Sequence, residues 1–139
     1  MKYVLPSVLV FAGLVNLYPV IGVLSTGNLT ALYGIHLEGS ELVILMRHRA
    51  ILFGLLGSFI ILSAFRPTLQ SLAITAGLVS MLSFVVLAFL VGDYNQAINR
   101  AIVADIVASA GLLVAIGFRS FVGGRGAADK AIHRTPDDV

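Results

Sequence analysis

The chain has 139 residues, of which 58% are hydrophobic and only 12% are charged, and its mean hydropathy is +1.00. Soluble domains carry about 25% charged residues, so this composition argues against a water-soluble fold. A membrane-spanning helix needs about 20 apolar residues, which leaves room for about four spans. The net charge of +2 comes from basic residues scattered over loop ends and the C-terminal segment, so no nucleic-acid partner is predicted. Cysteine is absent, which excludes disulfides, thiolate metal ligands and thiol nucleophiles.

The first apolar stretch, residues 3–24, predicts a membrane-spanning helix. A secretory signal cleaved near Ser25 is the competing interpretation, but the apolar run is longer than the core of a typical signal. In the connection that follows, Asn28 is a candidate N-cap for a short helix over residues 28–35, in which Leu29, Leu32 and Ile35 recur every three residues. We expect this helix to lie in the membrane interface with Tyr33 as an anchor, the alternative being an ordered loop.

Three further apolar stretches, residues 41–65, 70–91 and 98–121, complete the set of four predicted spans. Arg66 and Pro67 predict a tight turn between the second and third spans, because proline cannot continue a helix. The predicted fold class is an all-α integral membrane protein. Residues 1–122 would form an antiparallel four-helix transmembrane bundle with a short interfacial helix after the first span, and residues 123–139 a disordered cytoplasmic tail.

The distribution of charge predicts the orientation of the bundle. Most Lys and Arg residues lie at the two ends of the chain and in the connection between the second and third spans, whereas Glu38, Glu41 and Asp93 lie in the other two connections. Basic residues favour the cytoplasmic side, so both termini are predicted to be cytoplasmic.

Small residues recur at helical spacing in three of the spans, which predicts close helix contacts, because membrane helices associate through small residues. These stripes are, span by span, Ala50, Gly54, Gly57 and Ser58; Ala73, Gly77, Ser80 and Ser83; and Ala101, Ala104, Ala108, Gly111 and Ala115.

Two charged residues share these stripes. Arg47 lies three residues before Ala50, and Asp105 lies four after Ala101, so both are expected to point into the bundle. Each lies roughly 9 Å below the predicted outer boundary, and a charge at that depth is costly when unpaired. We therefore predict an ion pair between Arg47 and Asp105. Arg49 is the alternative partner, since residues 47–49 fan over about 200° and cannot all face inward.

These charges and their polar neighbours predict a cup that opens outward between spans one, two and four. Its candidate ligand-binding residues are Arg47, His48, Asp105, Asn16, Arg49, Asn99 and Tyr94. Arginine and histidine together suit an anionic head group, a carboxylate or a quinone oxygen. The competing interpretation is a structural ion pair that only fixes helix register. Of the three histidines only His48 lies in a span, so neither a metal site nor another cofactor is predicted, and no catalytic motif points to an enzyme.

Two runs of sequence carry a family resemblance: Ala-Leu-Tyr-Gly-Ile at 31–35 and Leu-Met-Arg-His-Arg-Ala-Ile-Leu-Phe-Gly-Leu-Leu-Gly at 45–57. They resemble small four-span bacterial inner-membrane proteins classified as a domain of unknown function. The resemblance implies the fold and a bacterial inner-membrane location, and it implies no activity. Such proteins sometimes carry the label phosphopantetheine adenylyltransferase, a soluble enzyme whose His-x-Gly-His motif this chain lacks.

Three functions are compatible with the sequence. The first is a module that binds an amphipathic small molecule or membrane lipid in the outward cup. The second is a homo-oligomer or accessory subunit of a larger membrane complex, docking through Ser80 and Ser83 of the third span. The third is a small proton-coupled exporter in which Asp105 carries the proton.

Overall fold

The computed structural model describes the backbone of residues 3–132 and the side chains of residues 3–117. Within that range all regular secondary structure is helical and there are no strands. There are two short 3-10 helices: Tyr18–Val23 follows the first α-helix, and Pro67–Leu69 precedes the fourth. The five α-helices are α1 (Val4–Leu17), α2 (Thr26–Tyr33), α3 (Ser40–Ala64), α4 (Gln70–Val91) and α5 (Gln96–Ile132).

Four helical segments are long and apolar enough to cross a membrane, namely Val4–Val23, Ser40–Ala64, Pro67–Val91 and Gln96–Gly117. They coincide with the four spans predicted from the sequence, so the all-helical fold class with four candidate spans is confirmed. Of the predicted disordered tail, the backbone of residues 123–132 belongs to α5 and residues 133–139 lie outside the described residues, so the disorder of this tail stays a prediction.

The connection after the first span differs in detail from the prediction. Helix α2 begins at Thr26 because the Ser25 hydroxyl accepts a hydrogen bond from the Asn28 backbone N–H at 3.1 Å. Asn28 is therefore not the N-cap; its side-chain amide donates to the Ile21 carbonyl at 3.0 Å. The helix ends before Gly34, whose φ of 64° suits glycine, rather than continuing to Ile35.

Helices α1 and α3 make the most extensive contact in the fold, and glycines allow it. A Cβ placed on Gly57 would lie 2.6 Å from the Gly13 carbonyl oxygen and 2.7 Å from the Leu17 backbone nitrogen. A Cβ placed on Gly54 would lie 2.7 Å from a methyl carbon of Val20, in the first 3-10 helix. The face of α3 that carries Gly54 and Gly57 is thus pressed against the first span, as small-residue packing predicts.

The four long helices do not pack equally. Contacts join α1 to α3, α3 to α4, α4 to α5 and α5 back to α1, whereas α3 and α5 have the least contact of any pair. A buried apolar core fills the space between all four in one half of the molecule, with Leu9, Ile60, Met81 and Leu112 among its members. In the other half, beside α2, the space between α3 and α5 is not closed by such a core.

Candidate binding cavity

A cavity of about 520 Å³ occupies this second half, and all five α-helices contribute to its wall. We call it the main cavity. Its volume falls in the range of small-molecule sites, about 300–1,000 Å³. Most of its lining is apolar, with Phe11, Phe53 and Phe84 among the largest side chains. Its polar and charged lining residues are Asn16, Tyr18, Tyr33, Arg49, Arg100 and Asp105.

Part of the small-residue stripe on α5 creates this space. Ala97, Ala101 and Ala104 line the main cavity, whereas Ala108, one turn further along, is fully buried. The sequence predicts helix contact along the stripe, with a ligand groove as the alternative, and at Ala101 and Ala104 the stripe lines a cavity. Helix α3 makes little contact with α5, so the short side chains of α5 leave the space between the two helices open.

Arg49 carries its charge among aromatic rings at the cavity wall. Its guanidinium carbon lies 5.1 Å from the ring centres of Phe53 and Phe84, and 5.8 Å from that of Tyr33. A cation within about 6 Å of an aromatic ring face is attracted to it, and the attraction grows where water is excluded. Three rings therefore surround this guanidinium, and no carboxylate of residues 3–117 lies within 4.0 Å of it.

The predicted ion pair between Arg47 and Asp105 is absent. Within residues 3–117, no basic nitrogen lies within 4.0 Å of the Asp105 carboxylate, and the positive charge that acts on it belongs to Arg49. Arg47 lies seven residues before Gly54, so it shares the face of α3 that packs on the first span. Arg49 lies about 200° further round and faces the opposite side. The orientation of α3 thus assigns Arg49 to the main cavity.

Asp105 lies half-buried in the wall of α5, one helical turn after the cavity-lining Ala101. Its side chain makes no hydrogen bond to any residue of the described range, and it interacts electrostatically with Arg49 and with Tyr33. A carboxylate and a guanidinium therefore share one cavity without direct contact. Each retains hydrogen-bonding capacity that another molecule could satisfy.

Tyr33 closes the cavity from α2. The sequence predicted an interfacial anchor, but the side chain is only 6% exposed, and its hydroxyl is buried without a partner among the described residues. Burial raises the pKa of this hydroxyl above its usual value, against the opposing effect of the Arg49 charge. The hydroxyl therefore stays protonated and can donate a hydrogen bond.

Asn95 fixes Tyr33 in this position. Its side-chain amide donates to the backbone carbonyls of Tyr33 at 2.8 Å and Gly34 at 3.1 Å. Its side-chain oxygen accepts from the Ile98 N–H at 3.0 Å and so caps α5. One asparagine thereby joins the end of α2 to the start of α5, across 62 residues of sequence.

A second cavity, of about 470 Å³, lies between α3, α4 and the start of α5. We call it the second cavity. Ser80, Ser83 and Tyr94 contribute to its wall. Arg49, Phe53 and Phe84 line both cavities and therefore stand between them.

The seven predicted site residues fall into three groups. Asn16, Arg49 and Asp105 line the main cavity, and Tyr94 lines the second. Arg47, His48 and Asn99 line neither, and the side chains of His48 and Asn99 are exposed. Asn16 is buried, with its amide donating to the Ala12 carbonyl at 3.0 Å.

Sequence reasoning missed several lining residues, including Phe53, Phe84 and Arg100. The position of Phe53 could have been predicted from the sequence, since it lies four residues after Arg49 and so on the same helix face. The position of Phe84 could not have been predicted in this way, because it depends on how α4 packs against the other helices. Among the described residues no three His, Asp or Glu side chains come together as a metal site would require.

Comparison with protein-family models, with curated proteins and with solved structures finds no match to this chain.

Proposed function

We propose that the chain spans the bacterial inner membrane as an antiparallel four-helix bundle with both termini in the cytoplasm. The four candidate spans and the many exposed large apolar side chains, such as Leu55, Leu90 and Val114, support this proposal. The excess of basic residues at the chain ends supports the orientation.

The absence of cysteine makes this topology testable by labelling single introduced cysteines. Glu38 and Arg66 are both exposed and lie in connections predicted to be on opposite sides. A membrane-impermeant maleimide should label Glu38→Cys in intact cells and label Arg66→Cys only after lysis. The reverse pattern would invert the orientation.

Within that bundle, we propose that the main cavity binds an amphipathic small molecule or lipid. The observation that carries this proposal is that Arg49 and Asp105 share the cavity without forming an ion pair. Charged groups at membrane depth are costly unless they are compensated, which favours a ligand that compensates them. The cavity reaches the surface beside Phe11 and Leu14, whose side chains are about half exposed. A ligand's apolar part would lie there, and its polar end would lie against Arg49 and Asp105.

Native mass spectrometry of protein released gently from membranes tests this proposal. We expect wild type to retain a small molecule or lipid, Arg49→Gln to lose it, and Arg47→Gln to keep it. Arg47 is the matched control, because it is the same residue type two positions away on another face of the same helix. Equal retention by the two variants, or no bound molecule in wild type, would refute the proposal.

A proton-coupled exporter is a second candidate, favoured by the Asp105 carboxylate in the wall of the main cavity, which has no ion-pair partner among the described residues. The carboxylate-coupled form requires Asp105, so Asp105→Asn should abolish proton-driven transport in liposomes. Transport that survives this substitution would eliminate that form.

A further inference from the structure

We propose, building on the proposed ligand binding, that the polar end of the ligand is zwitterionic, with an oxyanion against Arg49 and a cationic ammonium group against Asp105. The proposal rests on the charges that line the main cavity and on the hydrogen bonds they do not make within the described residues.

The guanidinium of Arg49 favours binding of an oxyanion. Aromatic rings lie near its guanidinium on several sides, at 5.1 Å for Phe53 and Phe84, and rings do not replace in-plane acceptors. A guanidinium has five N–H donors, and none of those of Arg49 donates to a residue in the described range. A carboxylate or phosphate accepts two such donors in parallel, which is the geometry arginine recognises best.

Asp105 makes a purely anionic ligand unsuitable. An oxyanion bound at Arg49 would share the cavity with the Asp105 carboxylate, and like charges in a poorly hydrated site repel strongly. A purely cationic ligand meets the same difficulty at Arg49. A head group that carries both charges satisfies both residues at once. The nitrogen atoms of Arg49 and the oxygen atoms of Asp105 are more than 4.0 Å apart, so the two groups do not neutralise each other by direct contact.

Arg100 does not change the balance of one positive and one negative charge inside the cavity. It also lines the main cavity, but its side chain is exposed at the start of α5. Water and salt screen an exposed charge far more than a half-buried one. The charge pattern inside the cavity is therefore set by Arg49 and Asp105.

The zwitterion could belong to a bilayer lipid or to a free single-chain amphiphile. The test uses phosphatidylethanolamine, which is zwitterionic, and phosphatidylglycerol, which is anionic, with identical acyl chains. A single-chain lysophosphatidylethanolamine forms a third arm. Purified full-length protein in detergent is titrated with equimolar mixtures, and bound adducts are counted by native mass spectrometry.

We expect wild type to bind phosphatidylethanolamine at least tenfold more tightly than phosphatidylglycerol. Asp105→Asn, which keeps the side-chain shape and removes the charge, should lower this ratio at least tenfold. Asp93→Asn is the matched control, since Asp93 is an exposed acid that lines neither cavity, and it should leave the ratio unchanged. Arg49→Lys should weaken binding of both lipids, because lysine keeps the charge but cannot bind an oxyanion bidentately. Stronger binding of the lyso form than of the diacyl form would identify a free amphiphile with the same head-group chemistry.

Two results would overturn the inference. If phosphatidylglycerol binds as tightly as phosphatidylethanolamine, or if Asp105→Asn leaves the ratio unchanged, the head group is not recognised as a zwitterion while the cavity still binds lipid. If no lipid or lysolipid binds wild type, ligand binding in the main cavity fails and the zwitterion inference fails with it.

Discussion

Replacing Gly57 with alanine should weaken the contact between α1 and α3 and destabilise the fold. The new methyl group would lie 2.6 Å from the Gly13 carbonyl oxygen, whereas ordinary contacts begin near 3.4 Å, so α1 would have to retreat by about 0.8 Å. The closest atoms all belong to the backbone of α1, which cannot rotate away as a side chain could. Overpacking of this kind costs about 1–3 kcal/mol.

Gly111→Ala is the matched control, because a Cβ at Gly111 meets only a Val8 methyl carbon at an ordinary 3.5 Å. Both substitutions replace a glycine inside a helix with alanine and gain the same helix propensity, about 1 kcal/mol. The difference between the two variants therefore isolates the steric cost, which we expect to be about 1–3 kcal/mol.

The assay is an SDS titration followed by energy transfer between fluorophores on introduced cysteines, since the chain has neither tryptophan nor native cysteine. Tyr3→Cys and Phe65→Cys place the labels on exposed residues beside the ends of α1 and α3. Gly57→Ala should separate the labels at a lower SDS fraction than wild type, and Gly111→Ala should not. Coincident transitions for the two variants would show that the glycine contact does not hold α1 to α3.

Three further predictions concern α2 and its attachments. Asn95→Asp keeps the oxygen that caps α5 but loses the donors to Tyr33 and Gly34, so amide hydrogen exchange should become faster in α2 alone. Asn95→Ala loses both functions and should make exchange faster in α2 and α5. Identical exchange patterns for the two variants would contradict these separate roles of the Asn95 side chain. Ser25→Ala removes the N-cap of α2 and should cost about 1 kcal/mol of helix stability, so the Asn28 backbone amide should exchange faster. Unchanged exchange of this amide would contradict the prediction. Tyr33→Phe removes a buried hydroxyl that has no partner among the described residues, so the delipidated variant should unfold at the same or a higher temperature, with a gain in stability of up to about 1 kcal/mol. A clear loss of stability would show that the hydroxyl has a partner.

The four candidate spans were predictable because their signal is local and strong. Each depends on about 20 consecutive apolar residues, and no knowledge of packing is needed to count them. The position of Tyr33 was not predictable in this way. It depends on hydrogen bonds from Asn95, 62 residues away, and on a helix start that Ser25 rather than Asn28 determines.

The choice between Arg47 and Arg49 shows where sequence reasoning about the site failed. Helical geometry established that the two arginines face different sides, but it did not establish which side faces the cavity. Its spacing from Ala50 places Arg47 on the small-residue stripe of α3, and this stripe predicts that Arg47 points into the bundle. In the structure Gly54 and Gly57 of this stripe mark the tightest helix contact, where little room is left for a ligand. The face that carries Arg49 borders the open space instead.

The glycine contact and the main cavity are therefore two consequences of one helix orientation. Pressing Gly57 against α1 places the face of α3 with Arg49 toward the distant helix α5, and the short side chains of Ala101 and Ala104 keep the intervening space open. Asn16, three residues after Gly13 on α1, belongs to the cavity wall. A retreat of α1 by about 0.8 Å in Gly57→Ala would move that wall as well. The variant should consequently lose bound ligand even where it remains folded, whereas Gly111→Ala should keep it.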